Sequence, residues 1–153
     1  MTPMYLVTGA AGFIGSHSVE WLLGQGRRVV GVDNLRTGHL ENLATARSSP
    51  SFEWVLADAG DEAVMRALFE RHRFAGVLHL AALVSVPESF RDPALNYCLN
   101  LATADSIARL CLEFDCKRLV FASSAAVYGT AAALPNRESA APQPQSPYAA
   151  AKL

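Results

Sequence analysis

Excess charge of either sign is missing from this 153-residue chain: thirteen Lys and Arg stand against fourteen Asp and Glu, a formal net charge of −1. That balance excludes a protein that grips nucleic acid or an anionic membrane through bulk charge. Long hydrophobic runs are missing too. The longest apolar stretch, residues 76–86, contains His79 and is too short to span a bilayer, and the start Met1-Thr2-Pro3-Met4 lacks the basic segment of a secretory leader. Cysteine is scarce. Cys98, Cys111 and Cys116 are odd in number and lack metal-ligand spacing, so they read as reduced thiols of a cytoplasmic protein, Cys98 and Cys111 on one expected helix. Disorder is excluded by a 51% hydrophobic content with only 18% charged residues. Length alone points to one domain.

What is present alternates regularly. Apolar runs at 5–8, 28–33, 52–57, 76–80 and 118–122 read as buried strands. Helical spacing appears over 13–25, with Phe13, Ile14, His17, Trp21 and Leu22 as its stripe, and over 61–71 and 92–114. Asp61 is placed to cap the second of these helices, and Asp92-Pro93 to start the third. The polar connection 37–46 has room for one or two helical turns, 81–91 reads as a loop, and 123–147 as a longer one. Ser146-Pro147 then signals a new helix, which Leu153 interrupts. Strand-helix alternation with continuous apolar strands predicts an α/β fold: a doubly wound parallel sheet of Rossmann type, covered by helices on both faces and incomplete at the C-terminal side.

The first strand runs into Thr8-Gly9-Ala10-Ala11-Gly12-Phe13-Ile14-Gly15. Glycines at 9, 12 and 15 permit a tight turn, close approach of backbone to a pyrophosphate, and close packing of helix on strand, while the helix start offers amides to phosphate. The bland alternative is a turn that needs glycines for its own geometry. Asp33 ends the second strand, where a carboxylate accepts hydrogen bonds from the adenosine ribose and repels a 2′-phosphate, favouring NAD over NADP. Asp58, just past strand three, is placed for an adenine amino group or for capping. Ala81 and Ala82 are small where a cofactor would pass the end of strand four. His79 reads as a hydrogen-bonded histidine rather than a metal ligand, and no metal site is expected. Trp21 and Trp54 read as packing residues.

Past strand five stand Ser123-Ser124 and, later, Tyr148-Ala-Ala-Ala-Lys152. Four residues apart on a helix, Tyr148 and Lys152 share a face. A phenol near pKa 10 becomes a usable base when an ammonium favours the phenolate, and a serine hydroxyl can hold the same substrate oxygen.

Taken together, residues 8–15, Asp33, Asp58, His79-Leu80-Ala81-Ala82, 123–129 and 148–152 resemble the extended short-chain dehydrogenase/reductase family in order and spacing. Within it, the resemblance is to the nucleotide-sugar epimerase/dehydratase branch. Asp33-Asn34-Leu35, Val86-Pro87-Glu88-Ser89 and Gln145-Ser146-Pro147-Tyr148 are most similar to its UDP-glucose 4-epimerase group. The resemblance implies tightly bound NAD, contacted by Gly9, Gly12, Phe13, Ile14, Gly15, Asp33, Asn34, Asp58, Ala59, Leu80, Ala81, Ala82, Asn100, Tyr148 and Lys152. It implies catalysis by Ser124, Tyr148 and Lys152. Tyr148 takes the O4 proton of a UDP-hexose while hydride leaves C4, and hydride returns to the other face of a transient 4-keto sugar.

Ala125 and Ala126 stand where dehydratases of the branch carry acids, which favours epimerisation. Val84 stands where many galactose epimerases have a lysine. A nucleotide-sugar dehydrogenase/reductase and a non-catalytic NAD-binding module are the alternatives. The resemblance further implies a homodimer and roughly twice this length in two lobes. Residues 1–153 are therefore expected to be the dinucleotide-binding portion, with little epimerase activity alone.

Overall fold

The computed structural model describes residues 2–130 and 135–153; positions 131–134, within the expected loop 123–147, lie outside the described residues. The chain divides into two compact units. The first comprises residues up to Ala81 together with Ala104–Phe121, and the second comprises Ala82–Thr103 together with residues from 122 onward.

The first unit is a parallel five-stranded sheet. Its strands are β1 (Met4–Thr8), β2 (Arg28–Asp33), β3 (Phe52–Leu56), β4 (Phe74–His79) and β5 (Leu119–Phe121), in the order β3-β2-β1-β4-β5. Thr8 pairs with Val32 on one side and His79 on the other, so the ends of β1, β2 and β4 lie level. The order reverses between β1 and β4, and the carboxyl ends of strands at such a switch point are where open α/β sheets bind ligands. β-branched residues build these strands because their side chains pack well on a pleated, doubly covered surface. Side chains then alternate between two cores. Leu6, Val30, Val32 and Val77 pack with Met65, Leu68 and Phe69 of α3 (Glu62–Arg71) and Ile107, Leu110 and Cys111 of α6 (Thr103–Glu113). Val7 and Val29 pack on the opposite face with Val19 and Leu22 of α1 (Phe13–Gly24) and Ala46 of α2 (Ala44–Arg47). Helices cover both faces, as the alternation predicts. Asp61 caps α3, its Oδ1 accepting the Ala63 and Val64 amides at 3.1 and 3.2 Å.

The expected stripe of α1 holds at Leu22 and fails at its other members. Phe13, Ile14 and Trp21 are 78, 64 and 65% exposed, and the buried face is Gly15, Ser16, Val19 and Leu22. Small residues face the sheet because the helix lies close against β1: a Cβ on Gly15 would sit 2.0 Å from the Gly9 oxygen. Trp21 is therefore a surface residue, whereas Trp54 does pack against the core.

One expectation fails in the second unit. The loop foreseen over 81–91 contains α4 (Val86–Arg91), capped by Ser85, whose Oγ accepts the Glu88 amide at 3.2 Å. A helix this short, with Pro87 in its first turn, carries too little periodicity to be seen. The helix foreseen over 92–114 runs without a break from Pro93 to Glu113, as α5 (Pro93–Asn96), a π-helical turn (Tyr97–Ala102) and α6. Thr103 Oγ1 donates to the carbonyl of Cys98, five residues back, at 2.9 Å, which supports the widened turn. A 3₁₀ turn (Ala125–Tyr128) and α7 (Pro147–Ala151) complete this unit; α7 packs on α4, α5, the π-helical turn and the 3₁₀ turn. Among the described residues no helix is long and apolar enough to cross a membrane.

Candidate functional site

In the first unit, the turn from β1 into α1 is held by its own backbone. Gly12 N donates to Gly9 O at 3.1 Å and Ala10 N to Val32 O at 3.2 Å. Gly9 adopts φ +69°, and a Cβ there would lie 2.7 Å from Ala81 N and 2.8 Å from the Leu80 carbonyl carbon. The bland reading therefore accounts for two glycines: Gly9 and Gly15 are required by the protein's own packing. It bears less heavily on Gly12. Its backbone is extended (φ −74°, ψ 172°), and a Cβ would find only the Gly9 oxygen, at 3.2 Å.

Gly12 is also the N-cap of α1. The helices α3, α4, α5 and α7 are each capped by an Asp or Ser side chain, while no side chain caps α1. A glycine here keeps the first-turn amides and the positive end of the helix dipole open to an anion. Phe13 and Ile14, the first two residues of that helix, are exposed at the same place.

Asp33 is buried at the end of β2. Its Oδ2 accepts the Ala11 amide at 3.0 Å and its Oδ1 the Leu35 amide at 2.8 Å, with Leu35 held at φ +59°. Each carboxylate oxygen has a second lone pair, so two acceptor positions remain for ribose hydroxyls. Asp58 is tied to the same region: its Oδ2 accepts Asn34 Nδ2 at 2.7 Å and its Oδ1 the Gly60 amide at 2.7 Å. Ala59 beside it is buried. The structure thus brings Gly9, Leu80 and Ala81 together at the β1–β4 switch point, and Asp33, Asn34 and Asp58 together along the neighbouring strand ends. Glycine cradle, open helix start and acidic strand end fit a dinucleotide.

The second unit holds the other candidates. Ser146 caps α7, accepting the Ala149 amide at 3.0 Å, and thereby starts the helix one residue before Tyr148. Lys152 is the C-cap residue of α7 and is buried; burial pulls its ammonium below the usual range. The two serines have separate tasks. Ser123 Oγ donates to the Lys152 carbonyl at 2.6 Å, closing the end of α7. Ser124 Oγ accepts the Ala126 amide at 3.2 Å, which leaves its proton for another acceptor.

Asn100 is buried and its side chain is taken up by protein groups. Its Oδ1 accepts Leu83 N at 3.0 Å, and its Nδ2 donates to Leu83 O at 3.1 Å and Asn96 Oδ1 at 2.8 Å. Asn96 Nδ2 in turn donates to Pro147 O at 3.0 Å. In this unit Asn100 therefore braces the segment that includes Ala82 and Leu83, and through Asn96 the first turn of α7.

Sequence reading missed Asn96 as part of this network. Only the four-residue interval between Asn96 and Asn100 offered a local signal.

Comparison with known proteins places this geometry. The family model described as GDP-mannose 4,6 dehydratase matches residues 6–153. A UDP-glucose 4-epimerase of Mycolicibacterium smegmatis is 42% identical over 149 residues, which is 97% of this chain and 47% of that protein. The structure of the Thermus thermophilus UDP-glucose 4-epimerase complexed with NAD superposes with a TM-score of 0.87 at 38% identity, covering 97% of this chain and 47% of that one. The Thermotoga maritima enzyme with UDP-glucose gives 0.89 at 36% identity, with the same coverage. The chain spans less than half the length of these relatives. With the glycine turn, the acidic strand end and the Tyr-Lys helix in family order, it belongs to the GDP-mannose 4,6-dehydratase family, in the NAD-dependent epimerase/dehydratase branch of the short-chain dehydrogenases/reductases.

Proposed function

We propose that this chain serves an NAD-dependent 4-epimerase of UDP-hexoses, with the glycine turn and Asp33 binding the cofactor and Ser124, Tyr148 and Lys152 as the catalytic residues. The observation that carries the cofactor half is Gly12, the N-cap of α1, which no side chain caps and which leaves the first-turn amides open to an anion. Asp33 selects NAD: a carboxylate at the ribose accepts hydroxyls and repels a 2′-phosphate. The NAD complex of the Thermus thermophilus relative and the UDP-glucose complex of the Thermotoga maritima relative support the same pairing.

Bound NAD would supply the hydride acceptor and donor. The chain's own residues handle the proton. Tyr148 accepts it from O4, and an ammonium at Lys152 favours the phenolate form that does so. Ser124, its lone pair engaged by the Ala126 amide, donates its hydrogen bond to O4. Ala125 and Ala126, in the 3₁₀ turn beside Ser124, carry no titratable group and cannot assist loss of water at another carbon. That supports epimerisation over dehydration. A homodimer and a cytoplasmic location belong to the same reading.

Native mass spectrometry of the purified chain, before and after NAD addition, tests the cofactor half; a folded chain that takes up no NAD overturns it. Within the whole protein, UDP-glucose and UDP-galactose should interconvert with no net NADH. Tyr148→Phe should lower turnover by about 10²–10⁴-fold with NAD still bound. Steady NADH accumulation would instead identify a dehydrogenase.

A further inference from the structure

Residues 38–43, in the connection that follows β2, have no role in the reading above, yet they reach back to the glycine turn. Ala11, the residue just before Gly12, is fully buried, and its peptide groups are fixed from two directions. Its amide donates to Asp33 Oδ2 at 3.0 Å. Its carbonyl accepts two hydrogen bonds, from His39 N at 3.1 Å and from Asn42 Nδ2 at 2.8 Å. Gly38 closes the same contact sterically: a Cβ there would lie 2.9 Å from the Ala11 carbonyl carbon and 3.0 Å from its Cβ. Asn42 belongs to a 3₁₀ turn (Leu40–Leu43) that Leu43 anchors in the core.

We infer that Asn42 is a positioning residue for dinucleotide binding. Its amide holds the Ala11 carbonyl, and with it the orientation of the peptide leading into Gly12 and the open amides of α1. The inference rests on the cofactor reading above.

The physical logic is preorganisation. A phosphate bound by backbone amides gains most when those amides already point at it, because otherwise ordering the loop offsets part of the interaction. Asp33 and Asn42 act on opposite ends of one residue, so the ribose acid and the 3₁₀ turn jointly set the phosphate loop. Asn42 itself is solvent-accessible and outside both cores, so its replacement leaves the fold intact.

The experiment compares wild type, Asn42→Ala, Asn42→Asp and Glu41→Ala by hydrogen exchange of the Ala11 amide in the ligand-free chain, by NAD titration calorimetry and by urea midpoint. Asn42→Asp keeps the shape but turns an acceptor toward the carbonyl. The expected result is a fall in NAD affinity of roughly three- to tenfold for Asn42→Ala and at least as large for Asn42→Asp, with faster Ala11 exchange and an unchanged urea midpoint. Glu41→Ala should match wild type. Wild-type affinity in Asn42→Asp, or Ala11 exchange unchanged in both Asn42 variants, overturns the inference and leaves the cofactor reading standing. A protected loop in a wild-type chain that binds no NAD overturns both.

Discussion

The hydroxyl of Thr8 lies 2.7 Å from Nδ1 of His79, fully buried where β1 and β4 end side by side. Thr8 Oγ1 also accepts the amides of Leu80 and Ala81, each at 3.2 Å. His79 stacks on Phe121 of β5, with ring centroids 6.2 Å apart. One hydroxyl therefore joins two strands at the switch point, beside the place where Gly9 meets Leu80 and Ala81. Thr8→Val keeps the shape but leaves two amides and an imidazole nitrogen without that oxygen. A loss of about 1–3 kcal/mol is expected from urea unfolding. An unchanged midpoint would show that the strand ends do not depend on this contact.

Gly12 and Gly15 should separate under the same substitution. A Cβ at Gly15 collides with the Gly9 oxygen at 2.0 Å, so Gly15→Ala should lower the melting temperature and abolish NAD uptake together. At Gly12 the nearest atom would be 3.2 Å away, which a shift of a few tenths of an ångström relieves. Gly12→Ala should lower the melting temperature much less than Gly15→Ala and lose NAD affinity. Equal behaviour of the two variants in thermal unfolding and NAD titration would contradict the assignment of Gly12 to the ligand.

Burial lowers the pKa of Lys152 from its ordinary 10.5. In the window between the folded value and 10.5 the unfolded chain binds more protons than the folded one, so stability rises with pH there. Below that window the buried ammonium costs stability in full. Lys152→Met removes the titration. Its stability relative to wild type should decline as pH is raised toward 10.5, measured as urea midpoints from pH 7 upward. A difference that stays constant with pH would be evidence against burial as the cause.

The three thiols should also divide. Cys98 is exposed, while Cys111 and Cys116 are buried in the core. Burial, with Cys116 as a neighbour, pushes the Cys111 thiol up to about 12, which suppresses its thiolate at neutral pH. Alkylation followed by mass spectrometry should find Cys98 modified in the native chain and Cys111 only after denaturation. Early labelling of Cys111 would mean that the end of α6 opens.

The alternation of strands and helices, the glycine turn and Asp33 were legible because each depends on neighbours in sequence: periodicity, turn chemistry, and an acid at a strand end. Caps were legible for the same reason, as at Asp61, Asp92 and Ser146. The face of α1 was not. Its apolar residues Phe13, Ile14 and Trp21 mimic a buried stripe, and only close packing against β1 explains why small Gly15 and Ser16 face inward instead. The π-helical turn was hidden because Thr103 and Asn100 act through side-chain bonds that periodicity cannot register.

By itself the sequence determined the strand order's raw material, the family and the residue types available for chemistry, since local backbone preference and burial pattern are written along the chain. Tertiary structure alone decided which of those residues hold one another. Thr8 meets His79 across 71 positions, Asn42 meets Ala11 across 31, and Asn96 meets Pro147 across 51. A hydrogen bond carries no sequence signal of its partner at such separations; the sheet order and the packing of the helices create the proximity, and the chemistry follows from it.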